Sequence, residues 1–201
     1  LTLFLGAETM IQLALPALHV TWLCVTLLSV LYFIYCNEMW NQLDALTGLL
    51  NQNSYLNRTV EMGRIGGVLV VFDVDDFKQI NDRYGHLQGD LCLAEIAACL
   101  KKAYARCGYC YRIGGDEFCV LLKDRAQEAP CAEEFLRRLE QRREALPFLP
   151  MVSFGSAAFS GEDVVTVKDR ADREMYRHKS QRKASAPAQG EQAEKKTSAE
   201  R

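Results

Sequence analysis

The sequence predicts an α/β domain with a mixed β-sheet flanked by helices, preceded by a transmembrane helix. Three observations support this prediction. Residues 67–73 form an apolar run that ends in an acid, which is typical of a buried central strand. Residues 109–122 place two strand-forming runs around a Gly-Gly-Asp-Glu centre, which is typical of a β-hairpin. Residues 9–37 contain no Asp, Glu, Lys or Arg, and Leu13–Cys36 is dense in large apolar residues.

The apolar segment over residues 9–36 is long enough to cross a hydrocarbon core of about 30 Å as a helix. A buried core helix would show a polar stripe, and a secretory signal would need a basic start and a small-residue cleavage site. The segment shows neither pattern, so we expect a transmembrane helix there. Because the chain opens without Met, we expect residues 1–8 to be the end of an earlier membrane helix in a longer protein.

Composition limits the classes of protein to consider. The chain has 201 residues, and its formal net charge of −2 gives no sign of a nucleic-acid-binding surface. Eight cysteines are scattered through apolar segments, which indicates a reducing compartment. Cys107-Gly-Tyr-Cys110 has the spacing of half a zinc or redox site. No second pair follows it, so buried or strand cysteines are the favoured interpretation.

Local patterns assign the remaining elements. Residues 37–43 are expected to form a linker, and residues 184–201, which lack an apolar anchor, a disordered tail. The pattern predicts helices over 51–63, 77–84, 91–104, 132–146 and 167–182 and a further strand over 150–159.

Two acids are candidates for one metal site. Asp73 ends the central strand and Asp116 lies at the hairpin tip, so their carboxylates can meet if the two elements are neighbours in one sheet. Such ligands suit Mg²⁺, which binds through one or two carboxylates plus substrate phosphates. The ordinary alternatives are a capping role for Asp73 and a plain surface turn at the hairpin. We expect Gly114 and Gly115 to adopt positive φ there and to let a large ligand approach the backbone.

Phosphate-binding groups are also present. Residues 74–78 turn from strand into helix, and the amides at a helix N-terminus favour phosphate. Lys78, Lys179 and Lys183 can supply positive charge, and the last two share one face of the final helix. A solvated basic face is the alternative for that helix.

Four stretches, in order and over about residues 44–183, resemble the motifs of the GGDEF family, the diguanylate cyclases. The resemblance implies the palm-like fold of the class III nucleotide cyclases. It also implies that two GTP molecules are joined into cyclic di-GMP, a bacterial second messenger. The matching stretches are Asp44–Asn51, Phe72–Asp82 with Gly85–Asp90, Tyr109–Leu122 and Ala171–Lys179.

The resemblance assigns the metal, Mg²⁺ or Mn²⁺, to Asp73, Asp116 and the carbonyl of Val74. Glu117 either holds a second metal or accepts a proton from the attacking hydroxyl, and these alternatives stay open. Gly114 and Gly115 complete the catalytic set.

The resemblance also implies a substrate site. Asn81 and Asp90 match guanine-reading positions, although helix capping is the alternative for both. Lys78 and Lys179 match phosphate-contacting positions, and Lys183 stands where the family more often has Arg. The remaining substrate-binding candidates are Phe77, His86 and Arg112.

Departures from the family pattern carry expectations of their own. Residues 105–108, Ala-Arg-Cys-Gly, stand where many members have an Arg-x-x-Asp product site, so we expect no feedback inhibition there. Gln52 replaces a usual Arg and Ser180 a usual Gly, which bears on efficiency more than on identity.

The resemblance leads to one functional prediction and two alternatives. We predict a diguanylate cyclase that works as a homodimer, because one domain holds one GTP. We expect it in the bacterial cytoplasmic membrane under control of a membrane region, with its catalytic domain in the cytoplasm, where GTP is found. The alternatives are a weak module that binds GTP and signals by contact, and a structural membrane protein.

Overall fold

The computed structural model describes residues 2–14, 20–40, 42–62 and 65–185. These residues divide into two compact units, 1–42 and 43–201, which are described separately. The tail predicted over 184–201 lies outside the described residues from 186 onward.

The first unit contains two helices, α1 (Thr2–Ala14) and α2 (Val20–Trp40). The single helix predicted over 9–36 is therefore wrong, because α1 ends and α2 begins within that range. Pro16, which has no N–H for a helical hydrogen bond, falls in the sequence between the two helices. α2 also occupies part of the linker predicted over 37–43.

Within the described part of the chain, we find no helix that has both the length and the apolar character needed to cross a membrane.

The second unit is built on one four-stranded sheet with the strand order β2-β3-β1-β4. A single 3₁₀ turn at Arg125–Gln127 precedes its fourth helix. The strands are β1 (Gly67–Val74), β2 (Gly108–Arg112), β3 (Glu117–Leu122) and β4 (Val152–Phe159), and the helices are α3 (Gln52–Met62), α4 (Phe77–Tyr84), α5 (His86–Tyr104), α6 (Glu128–Ala145) and α7 (Val164–Ser185).

The prediction of an α/β fold is confirmed, but the prediction of a mixed sheet is wrong. The pairs β2–β3, β3–β1 and β1–β4 are all antiparallel. The helical connections do join parallel strands: β1 leads through α4 and α5 to β2, and β3 leads through α6 to β4. Another strand always lies between the two joined strands, so no two parallel strands pair within this sheet.

β1 is buried on both faces, as its apolar run predicted. Val70 and Phe72 point into a core formed with α5 and α6, while Leu69 and Val71 point into a second core formed with α7. Side chains alternate between the faces along a strand. Asp73 therefore continues the face of Leu69 and Val71, which is the face that α7 covers.

Three helices start earlier than predicted, and α7 begins at Val164 rather than at 167. α5 begins at His86 rather than at 91, directly after Gly85, whose φ of 85° lies in the region that favours glycine. α6 begins at Glu128 rather than at 132. Pro130 lies in its first turn, where the missing N–H costs no helical hydrogen bond.

α7 packs against β4 at Gly155 with no room for a side chain. A Cβ on Gly155 would lie 2.2 Å from the backbone nitrogen of Met175 and 2.4 Å from the carbonyl oxygen of Ala171. Both atoms belong to helical backbone, which cannot rotate away as a side chain can. This contact fixes the height of α7 above the sheet.

We predict that Gly155→Ala lowers the free energy of unfolding by about 2 kcal/mol, because the methyl group forces α7 away from β4. Thermal unfolding should show a decrease in Tm of about 5–10 °C. The matched control is Ala158→Ser, at an exposed position of the same strand, which should change stability by less than about 0.5 kcal/mol. Equal Tm values for the two variants would show that α7 does not depend on this contact.

Candidate active site

The pairing of β1 with β3 brings the predicted acids to one end of the sheet. Asp73 lies directly opposite Glu117 in the antiparallel register, so the two side chains share a face. The backbone N–H of Val74 donates to the carbonyl oxygen of Asp116 at 3.2 Å, which holds Asp116 beside the last residue of β1. Two pairs of residues that are distant in sequence therefore meet at the ends of two neighbouring strands: Asp73 with Val74, and Asp116 with Glu117.

Hydrogen bonds within the hairpin backbone and from the Arg112 side chain hold the hairpin tip. The backbone N–H groups of Ile113 and Gly114 both donate to the carbonyl oxygen of Glu117, at 3.0 and 3.3 Å. The guanidinium of Arg112 donates to the carbonyl oxygen of Gly115 at 2.7 and 3.2 Å. Its remaining nitrogen forms an ion pair of 3.0 Å with Asp44. Arg112, predicted to contact substrate, therefore joins the hairpin to the start of the domain.

The expectation of positive φ at Gly114 and Gly115 is wrong. The described glycines with positive φ are Gly48, Gly66, Gly85 and Gly161. Lack of space for a side chain accounts for Gly114 but not for Gly115. A Cβ on Gly114 would lie 3.1 Å from the Glu117 carboxylate, whereas a Cβ on Gly115 would meet nothing within 4 Å. Gly115 therefore leaves bare backbone open to solvent beside the acids.

Lys179 of α7 lies over the same end of the sheet. Its ammonium group contacts the carboxylate of Asp73 closely and lies 3.2 Å from that of Asp75. Asp75 is buried, and it accepts hydrogen bonds of 2.9 and 3.1 Å from the hydroxyl of Ser153 on β4. Asp73, one of the predicted metal ligands, is thus already paired with one positive charge, which it shares with Asp75.

A strained turn separates these acids from α4. Asp76 has φ 53° and ψ 29°, in the left-handed region that non-glycine residues rarely adopt. It is the residue before the first turn of α4, and its carbonyl oxygen accepts from Gln79 at 2.9 Å. Phe77 then packs against the core while Lys78 is exposed. The turn directs the start of α4 to the same end of the sheet as Asp73.

The two predicted guanine-reading residues lie on neighbouring helices, Asn81 on α4 and Asp90 on α5. A Cβ on Gly89 would lie only 2.0 Å from the side-chain oxygen of Asn81, so this glycine lets the two helices approach. Asp90, the next residue, is exposed, and His86 is exposed at the start of α5. Asn81 therefore contacts the residue that precedes Asp90, and Asp90 itself faces open solvent.

The described side chains contain no group of three or more His, Cys, Asp or Glu that could hold a metal ion. A metal in this position needs fewer protein ligands, because Mg²⁺ binds one or two carboxylates together with substrate phosphates. The donor chemistry fits this mode, since two carboxylates at the end of β1 already attract the Lys179 ammonium.

Two contacts of the site could not be predicted from local sequence patterns, because the partners are distant in sequence. The Asp75–Ser153 and Arg112–Asp44 partners are 78 and 68 residues apart. Lys183 lies on α7, but its side chain is outside what the structure describes. A cavity of about 680 Å³ lies away from the acids, lined by residues of α3 and the start of α7 that include Tyr55, Val60, Val164 and Lys168.

Comparison with known proteins identifies the class. Residues 41–185 match the family model described as "Diguanylate cyclase, GGDEF domain". That range is more than half of the chain and contains the whole sheet and all the candidate residues. The protein belongs to the GGDEF-domain family.

Individual relatives support the same assignment. The chain is 39% identical over 150 residues to diguanylate cyclase DgcP of Pseudomonas aeruginosa, covering 68% of this chain and 22% of that protein. It is 30% identical over 146 residues to the probable diguanylate cyclase DgcJ of Escherichia coli, covering 68% of this chain and 29% of that protein. This chain therefore spans less than a third of the length of either relative.

A solved structure is also similar over most of the chain. Diguanylate cyclase SiaD of Pseudomonas aeruginosa, in complex with its activator SiaC, matches with a TM-score of 0.63 and 28% sequence identity. The match covers 90% of this chain and 74% of that one.

The Asp44–Arg112 pair gives a pH-dependent prediction. Burial raises the pKa of the Asp44 carboxyl, but hydrogen bonds from Thr47 and the Arg112 guanidinium outweigh burial and hold that pKa below its ordinary value. A lowered pKa stabilises the fold above the unfolded-state pKa of about 3.9, and this stability is lost as pH falls through the folded-state value. Asp44→Asn should therefore cost about 1 kcal/mol at pH 7, measured by urea unfolding.

The difference between the parent and Asp44→Asn should begin to shrink below about pH 4, where Asp44 of the unfolded parent takes up a proton, and should disappear only below the lowered folded-state pKa. The control is Asp169→Asn, at an exposed acid of α7, which should match the parent at both pH values. A cost for Asp44→Asn that stays equal at pH 7 and pH 3.5 would contradict a role for the charge.

Proposed function

We propose that this chain is a diguanylate cyclase, a nucleotidyltransferase that condenses two GTP into cyclic di-GMP and two pyrophosphates. The observation that carries the proposal is the β1–β3 register, which sets Asp73 opposite Glu117 and bonds Asp116 to the end of β1. The intact Gly114–Phe118 core and the activities named for the relatives support it.

The triphosphate would lie at the strand ends, between the acids and α7. The amides at the start of α4 point their partial positive charge to this end of the sheet. Lys78, Lys179 and Lys183 are the cations assigned to phosphate oxygens. Lys179 now neutralises Asp73 and Asp75, so it would exchange these carboxylates for phosphate oxygens as the nucleotide arrives.

The bound cation, Mg²⁺ or Mn²⁺, would neutralise the α-phosphate and the leaving pyrophosphate. Asp73, Asp116 and the carbonyl of Val74 are the ligands we assign, with Glu117 as the adjacent acid. Release of Lys179 leaves the Asp73 carboxylate free for this role.

Guanine recognition would use the α4–α5 junction. A carboxylate can accept from N1–H and the exocyclic amine of guanine at once, and adenine lacks that pair of donors. Asp90 is the carboxylate that we assign to these donors, and Asn81, brought next to Gly89, adds an amide beside it. Phe77 and His86 complete the surroundings of the nucleotide.

The reaction joins nucleotides held by two copies of the domain. The 3′-hydroxyl of one GTP attacks the α-phosphorus of the other, and pyrophosphate leaves. Glu117, on the same face as Asp73, can accept the hydroxyl proton or hold a second metal. One domain cannot close the ring, so we propose a homodimer as the active form.

Control and location are also part of the proposal. We propose that the N-terminal region attaches the protein to the bacterial cytoplasmic membrane, with the catalytic domain in the cytoplasm. The large apolar side chains that α2 exposes, such as Leu31, Phe33 and Tyr35, support an apolar environment for this unit. We propose no product-inhibition site at residues 105–108, since both ends of the Arg-x-x-Asp pattern are missing.

A GTP-binding module that signals by contact is the alternative function. It would use the same guanine and phosphate contacts and form no product. The departures at Gln52 and Ser180 favour this alternative only if they abolish turnover.

A turnover assay distinguishes a diguanylate cyclase from a GTP-binding module. We expect the soluble part from Leu43 onward to convert GTP into cyclic di-GMP with Mg²⁺, measured by chromatography of the nucleotides. Asp116→Asn should lower the rate at least about 100-fold, because it removes a charge beside the reacting phosphate. GTP binding by that variant should persist, since the guanine contacts lie on other elements.

The control is Asp169→Asn, an exposed acid of α7 away from the strand ends, which should keep the parent rate. GTP binding without any cyclic di-GMP in the parent, even at high protein concentration, would favour the binding module. Equal rates for Asp116→Asn and the parent would remove the basis of the proposed reaction.

The guanine contact is tested with inosine triphosphate, which lacks only the exocyclic amine of GTP. We expect the parent to bind GTP at least about 10-fold more tightly, the value of one hydrogen bond to a charged acceptor. Asp90→Asn should reduce this preference to within about 3-fold, because its amide cannot accept from both donors. Competition binding measures both ratios.

Asp82→Asn serves as the control, since Asp82 is an exposed acid on α4. This variant should keep the parent preference for GTP. A preference that survives in Asp90→Asn would assign guanine recognition to another residue.

A further inference from the structure

Two cysteines of the second unit lie in contact on neighbouring elements. The thiol of Cys131, in the first turn of α6, donates to the sulfur of Cys107 at a sulfur–sulfur distance of 3.2 Å. Cys107 belongs to the turn between α5 and β2, 24 residues earlier in the chain. A disulfide between them would therefore join the start of the hairpin strand β2 to helix α6.

The two thiols have different surroundings. Cys107 is half-buried, and its thiol lies 3.7 Å from the side-chain oxygen of exposed Gln127, so small solutes can reach it. Cys131 is only 5% exposed, behind Cys107. This arrangement gives one accessible sulfur and one protected sulfur in contact with it.

The other cysteine of the Cys-x-x-Cys spacing is directed elsewhere. Cys110 is buried on β2, and its thiol points to the carbonyl oxygen of Leu100 on α5 at 3.8 Å. The partner of Cys107 is therefore the distant Cys131 rather than its sequence neighbour.

We propose that Cys107 and Cys131 form a reversible, peroxide-sensitive dithiol site. Hydrogen peroxide oxidises the Cys107 thiolate to a sulfenic acid and releases hydroxide, which takes up the thiol proton as water. Cys131 then loses its proton as its sulfur attacks the Cys107 sulfur, forming the disulfide. The sulfenic oxygen leaves with the Cys131 proton as a second water. Two thiols are oxidised and one peroxide is reduced to two waters.

The acidities of the thiols agree with this order of events. Burial, together with the contact with Cys107, raises the pKa of the Cys131 thiol to about 12. Burial raises the pKa of the Cys110 thiol to about 12 as well. Both thiols remain protonated at neutral pH and therefore react slowly with peroxide, because the thiolate is the nucleophile.

The test uses the full purified chain, reduced and then treated with a small molar excess of hydrogen peroxide. Remaining thiols are blocked with N-ethylmaleimide before non-reducing peptide mapping. We expect one intramolecular disulfide between Cys107 and Cys131, loss of two of the eight free thiols, and full reversal by dithiothreitol. The bond should form at least about 10-fold faster in the folded protein than in urea, because folding holds the sulfurs together.

Two variants separate this site from its alternatives. Cys110→Ala should still form the disulfide, whereas Cys131→Ala should stop at a Cys107 sulfenic acid that dimedone captures. The oxidised parent should also unfold about 5–10 °C higher than the reduced one, since the bond constrains the unfolded chain. A Cys107–Cys110 bond, oxidation of Cys107 beyond the sulfenic stage without a disulfide, or a lower unfolding temperature after oxidation would each overturn the proposal.

Discussion

The antiparallel register between β1 and β3 is the constraint on which the candidate site depends. It pairs Asp73 with Glu117, and one further backbone hydrogen bond, from Val74 to Asp116, continues the alignment past the strand ends. A slip of one residue would send Asp73 to the opposite face of the sheet, into the core formed with α5 and α6. The same slip would exchange the side chains that β1 directs into its two cores, and the close packing of each core opposes that exchange.

Charge balance at the strand ends follows from this register. Asp73 and Glu117 share a face, and Asp75, which directly follows β1, is buried. Carboxylates placed this close repel one another unless a cation lies among them. Lys179 supplies that cation in the protein described here, which explains how the acids can stay together before a nucleotide binds.

Local sequence patterns were enough to predict β1, the hairpin and most helices, because the apolar pattern of a buried element and the residues that form a turn both lie within a short stretch of sequence. They did not predict strand adjacency, which depends on how the helical connections cross the sheet. They also did not predict Ser153 as the partner of Asp75 or Asp44 as the partner of Arg112, since each partner comes from a remote element. Asp73 and Asp116 were proposed as a pair only on the condition that their elements are neighbours, and the β1–β3 pairing fulfils that condition.

The close packing of Gly155 against α7 has a consequence beyond stability. Lys179 lies one turn after Met175, the residue whose backbone rests on that glycine. The basic side chain and the facing carboxylates are thus carried by rigid helix and strand, with no loop between them to adjust. Because rigid elements hold these charged groups in place, a conformational change within a single copy of the domain would alter the site little. If the homodimer proposed above is the active form, the simplest quantity left to regulate is how often two copies meet.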